Sequence, residues 1–106
     1  MKYLVAILSL IHSSFLLAQE YTFGVVPQYE PQKLNTIWQP LLKQVSKQTG
    51  VTIKLITVES IPVFEKAFAE GEYDFAYMNP WHSVVAYEKQ GYLPLIKDAG
   101  RKLQGI

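Results

Sequence analysis

From residue 21 onward, short β-rich runs alternate with stretches of helical periodicity. "YTFGVVP" (21–27) is dense in β-branched and aromatic residues and is closed by a proline. In "LNTIWQPLLKQVSKQTG" the apolar residues Leu34, Ile37, Trp38, Leu41, Leu42 and Val45 fall at i, i+3, i+4, i+7, i+8 and i+11. That spacing predicts an amphipathic helix ending at Thr49, with Gly50 at its C′ position. Pro40 either kinks this helix or marks a late start near Trp38. "VTIKLITV" (51–58) reads as a second strand and "IPVFEKAFAEG" (61–71) as a short helix, with Ser60 as N-cap, Pro62 in the first turn and Gly71 as stop. A third strand follows in "YDFAYM" (73–78), then a helix over 80–91 with Pro80 at N1 and Gly91 past its end. "YLPLIKD" (92–98) reads as a fourth strand, with Pro94 placing it at an edge or giving it an irregular start.

The order β-α-β-α-β-α-β implies an α/β fold with a mostly parallel sheet and helices on both faces. Three strand-to-helix turns, at 28–31, 59–62 and 78–82, then share one sheet edge. Open α/β sheets bind ligands beyond the carboxyl ends of their strands.

The first 18 residues have a different character. "MKYLVAILSLIHSSFLLA" has one lysine, an apolar run and a small residue at its end, the pattern of a secretory signal cleaved after Ala18. The unbroken apolar part, residues 3–11, is too short to span ~30 Å of hydrocarbon. Domain organisation is therefore expected to be a signal peptide over 1–18 and one folded unit over 19–106, exported to the periplasm. No cysteine is present, which excludes disulfides, thiolate zinc sites and lipoprotein attachment. Loss of the signal removes Lys2 and leaves nine basic against nine acidic residues, a net charge of zero. A neutral chain lacks the excess of cations needed for nucleic acid. It also lacks the basic helix face needed to bind a membrane surface. No stable membrane insertion is expected after cleavage.

The densest chemistry lies in "YDFAYMNPWHS" (73–83). Asn79 can cap the helix that Pro80 opens. The amides of Trp81, His82 and Ser83 are then orphan donors at the positive end of the helix dipole, a ready anion site without a lysine or arginine. Tyr77 and Trp81 could wall such a site, and Tyr29 and Ser60 occupy the neighbouring turns. Against these stand plainer readings: His82 as an ordinary helix-start residue, Trp38 as core, Lys33 as a solvated charge and Asp74 as a partner for backbone. An enzyme is not supported. His82 and Ser83 are adjacent and diverge by about 100° on a helix, and no Gly-x-Ser-x-Gly elbow, P-loop or GxGxxG is present. His82 is the one histidine beyond the signal, so a His-rich metal site is excluded, and no cofactor is expected.

"FGVVPQ", "WQPLLKQVSKQTG", "IPVFEKAFAEGEYDFAYMNPWHSVVAY" and "GYLPLIKD" with "LQGI" resemble, in order, the phosphate/phosphite/phosphonate substrate-binding proteins of ABC transporters (the PhnD-like family). The resemblance implies a periplasmic-binding-protein fold of the second type, in which two lobes close on a small oxyanion and deliver it to a membrane permease. Such proteins are monomeric receptors, not enzymes. It further implies that the chain holds only the first part of lobe one. Phosphonate receptors place a tyrosine just before the second helix and another at the end of the third strand. Here those positions are Ile61 and Met78, so the resemblance carries over the turn and not the ligand's identity. A ligand-sensing extracytoplasmic domain built on the same fold is the alternative, to be told apart by what the downstream reading frame encodes.

Overall fold

The computed structural model describes residues 19–100. The expected signal peptide and the "LQGI" end of the family resemblance lie outside the described residues. Three strands, β1 (Glu20–Val25), β2 (Thr52–Ile56) and β3 (Phe75–Tyr77), alternate with three helices, α1 (Pro31–Thr49), α2 (Ile61–Ala69) and α3 (Pro80–Gln90). The strands form one parallel sheet in the order β2-β1-β3. β1 is central. The chain leaves it toward β2 and then crosses over it to reach β3. The expected α/β architecture holds, with each strand shorter than its apolar run.

β1 is covered on both faces toward its carboxyl end because its alternate residues meet different layers. Phe23 turns toward α1, where Trp38 packs 5.2 Å from it and 4.8 Å from Tyr77. Thr22, Gly24 and Val26 turn toward α2 and α3. On that side Val26, Phe64, Ala67, Phe68, Tyr73 and Ala86 make the main core, with Ile56, Val58, Ala76, Met78 and Val85 packed around it. Phe64 and Phe68 are the largest fully buried side chains. Each contributes about 1.5–3 kcal/mol by leaving water. Gly24 makes this packing possible. A Cβ there would stand 2.5 Å from the Tyr73 ring, well inside van der Waals contact.

The helix ends follow from local chemistry. α1 starts at Pro31 and runs unbroken through Pro40, so the late start at Trp38 is corrected. Gly50 ends it with φ +76°, a left-handed conformation that costs glycine nothing. Ser60 caps α2 by accepting from the Val63 amide at 3.4 Å. Gly91 closes α3 in the left-handed region. Polar ties join the layers: Ser46 Oγ accepts from the Ile53 amide, linking α1 to β2, and Gln90 donates to the Ala69 carbonyl, linking α3 to α2. Asp74 is a backbone partner, as expected. Its carboxylate accepts from the Thr22 amide at 2.8 Å, and the Thr22 hydroxyl in turn accepts from the Asp74 amide.

Two further expectations are corrected. Residues 92–98 form no strand. Tyr92 is held by its hydroxyl, which donates to the Tyr73 carbonyl at 2.6 Å. Beyond it Pro94 brings no amide to a ladder, and Leu93, Leu95 and Ile96 stand 71%, 74% and 95% exposed. The apolar stripe of α1 is also wider than the surface it covers. Leu34 and Leu42 are buried, whereas Ile37 and Leu41 remain half-exposed.

The core makes two outcomes measurable. Gly24→Ala should lower stability by about 1–3 kcal/mol, read as a shift in the urea midpoint, because the Tyr73 ring cannot retreat from Phe64; an unchanged midpoint would refute the close packing. Burial raises the Tyr73 phenol above its ordinary range, with the Glu72 carboxylate adding to the effect. Burial likewise raises Tyr92. An unfolded tyrosine ionises near pH 10 while the native one still holds its proton, so above about pH 10 the unfolded state is favoured. Stability should be flat from about pH 8 to 10 and fall beyond it. Tyr73→Phe should reduce that fall without losing a hydrogen bond, since the buried Tyr73 hydroxyl has no partner among the described residues.

Candidate ligand-binding site

The strand order locates the site. After β1 the chain turns to α1 on one face, and after β2 it passes to α2 on the other. The adjacent strands β1 and β3 are therefore a topological switch point, where the connections leaving their carboxyl ends diverge and open a crevice. The ladder is carried to its mouth by the Val26 amide, which donates to the Tyr77 carbonyl at 3.0 Å. There the chain of β1 breaks into the 26–30 turn and that of β3 into the 78–80 turn.

A surface depression opens at this point, lined by Val25, Gln28, Tyr29, Leu34, Ile37, Trp38, Tyr77 and Asp98. Its aromatic lining comes from Tyr29, Trp38 and Tyr77. Trp38 lies against Tyr77, and the Lys33 ammonium sits 3.8 Å from the centre of the Tyr29 ring, one helical turn away in sequence. The structure thus brings Tyr29 and Tyr77 together, and adds Trp38, which the sequence alone assigns only to the core. Trp38 serves both purposes: one side packs on Phe23 while the residue still borders the depression. Nothing local in sequence marks this, because it depends on β3 lying beside β1. A second hollow, along Lys43, Gln44, Lys47 and Gln48, is made by two turns of α1 alone, with no second element closing it.

The start of α3 stands at the same end of the sheet. Asn79 Oδ1 accepts from the His82 amide at 2.7 Å, and the Asn79 carbonyl accepts from the Ser83 amide at 3.1 Å. The Ser83 hydroxyl donates to the Pro80 carbonyl at 2.7 Å. Of the three amides expected as anion donors, two are engaged by Asn79, which leaves that of Trp81. The Trp81 side chain is 69% exposed. His82 differs most from its expected setting. Its ring is 3% exposed, lies 5.6 Å from Phe64 and 5.4 Å from Phe68, and places Nε2 3.1 Å from Glu65 Oε1. It does not line the depression. Ser60 lies at the neighbouring helix start, its hydroxyl taken up by the cap of α2. Among the described residues, no three His, Cys, Asp or Glu side chains converge to hold a metal ion. No helix there is long and apolar enough to cross a membrane.

The family model described as ABC transporter, phosphonate, periplasmic substrate-binding protein matches residues 23–105. The chain belongs to this family. A search of curated proteins found none that matches. Among solved structures, the chain is similar to a binding protein component of an ABC phosphonate transporter from Pseudomonas aeruginosa. The TM-score is 0.63 and the identity 23%, over 69% of this chain and 24% of that one. At that identity the likeness concerns the fold, here part of a periplasmic binding protein. The chain thus spans about a quarter of that structure's length. The family is one of transporter binding proteins rather than enzymes. At the two positions where the resemblance places tyrosines, Ile61 is an exposed first residue of α2 and Met78 packs on the main core. Tyr29 and Tyr77 are the phenols that line the depression.

The cap that orders the α3 start is open to a direct check. Asn79→Ala should cost about 1 kcal/mol of stability, and Asn79→Asp should restore most of it, since the carboxylate can take the same amide and suits the helix dipole. If Asn79→Ala unfolds in urea at the same midpoint as the wild type, the cap contributes nothing.

Proposed function

We propose that this chain furnishes one wall of a periplasmic receptor cleft that captures a small oxyanion, of the phosphate, phosphite or phosphonate class, for an ABC permease. The observation that supports this most is the coincidence, at the β1/β3 switch point, of an aromatic depression with a capped helix start. The Trp81 amide supplies a donor at the positive end of α3, where an anion is favoured without a formal counter-charge. Tyr29 and Tyr77 are the candidate hydroxyl donors, and Lys33 brings a cation to the same rim. Asn79, His82 and Ser83 act here through backbone order: they hold the turn from which the Trp81 amide projects. Ser60 belongs to the adjoining turn and borders the ligand from the α2 side.

One wall gives few contacts. The affinity of the described residues alone is therefore expected to be weak, about millimolar, and the rest of the coordination comes from chain of the length that the solved relative has.

Chemical-shift mapping on the 15N-labelled chain tests the reading. Titration with inorganic phosphate, phosphite and methylphosphonate should move the amide signals of residues 28–29 and 77–81 for at least one of the three. Tyr77→Phe should weaken that response about tenfold, as expected for one lost hydrogen bond to a charged group. A response confined to other surfaces, or absent for all three anions, would sink the assignment of this site.

A further inference from the structure

α2 and α3 meet through apolar and aromatic groups, yet one polar contact crosses between their side chains: His82 Nε2 lies 3.1 Å from Glu65 Oε1. The two ends of this contact differ. Glu65 is half-exposed, whereas the His82 ring is enclosed against Phe64 and Phe68. Its other nitrogen, Nδ1, is buried and has no hydrogen-bond partner among the described residues.

That asymmetry selects a tautomer. The neutral ring carries one N–H. Placed on Nδ1, the proton would bury a donor without an acceptor and turn the Nε2 lone pair toward a carboxylate oxygen. Placed on Nε2, it donates to Glu65 and leaves only an acceptor unmatched. The same residue is held a second time through its backbone, because the His82 amide donates to Asn79 Oδ1. Ring and amide together pin the third residue of α3, directly after Trp81, whose amide has no hydrogen-bond partner among the described residues.

We propose that Glu65 is a positioning residue for the start of α3. It holds His82 as the Nε2–H tautomer and, through that ring, keeps the Asn79–His82 cap and the Trp81 amide in register with the mouth of the crevice. The link to ligand rests on the oxyanion reading above; the link to the turn does not.

The first test reads the tautomer directly. Long-range proton–nitrogen correlation at mildly alkaline pH should show Nε2 of His82 protonated and Nδ1 bare, with His12→Gln used to assign the two histidines. An Nδ1–H ring, or one protonated on both nitrogens, overturns the proposal. The second test is native-state amide exchange. Glu65→Ala should speed exchange at His82 about tenfold, for the loss of one hydrogen bond, while Phe68 in α2 is unaffected. Glu65→Gln, whose carbonyl oxygen can still accept from Nε2–H, should restore the wild-type rate. Acceleration shared equally by Phe68, or none at His82, also overturns it. In a phosphate titration, Glu65→Ala should weaken the Trp81 response about tenfold and Glu65→Gln should rescue it. A wild-type chain that ignores phosphate would end the oxyanion reading, while the tautomer and exchange results would still decide the role of Glu65.

Discussion

The Tyr73 ring rests on Gly24, and the two layers on that side of the sheet depend on this contact. Gly24 is the one position on the central strand without a side chain, and the ring fills the space where a Cβ would stand. Phe64 stacks on the outer side of Tyr73 at 5.6 Å, Phe68 meets Phe64 edge-on, and both rings enclose His82. Packing therefore runs without a gap from the middle of the sheet to the first turn of α3. Interiors packed at crystal-like density transmit small displacements, so the height of Tyr73 above β1 sets where the candidate ligand-binding turn stands.

The other end of the β1–β3 pair is held by polar groups. Thr22 and Asp74 exchange backbone and side-chain hydrogen bonds at the amino ends of these strands. Tyr92 ties the chain after α3 to the carbonyl of Tyr73. β3 has only three residues, and such a strand gains little from its ladder alone. The carboxylate at one end and the Val26–Tyr77 bond at the other fix its register, and with it the placing of Tyr77 beside Trp38.

The division of labour across the sheet bears on function. One face is a closed core of phenylalanines with the buried His82. The other, under α1, is shallower, and its aromatic residues remain partly open at the carboxyl ends of the strands. The depression opens on this second face, where Tyr29, Trp38 and Tyr77 border it. The imidazole, which has the most versatile side-chain chemistry of the group, is spent on holding two helices together.

Much of this was legible in the sequence because it is local. Apolar spacing marked α1; Ser60, Asn79, Pro80, Gly50 and Gly91 marked the helix ends, because caps and left-handed turns act over three or four residues. The alternation of elements implied a parallel α/β sheet, and "GEYDFAYMNPWH" pointed to the family whose model matches residues 23–105. The strand order, and hence the crevice between β1 and β3, came only from the tertiary structure. So did the pairing of Trp38 with Tyr77 and of His82 with Glu65, and the irregular course of residues 92–98. These are contacts between residues distant in the chain, and burial on one face or the other is chosen by what packs there. Sequence determined which segments could be helix or strand; packing decided which side chains line the depression and which are used up in the core.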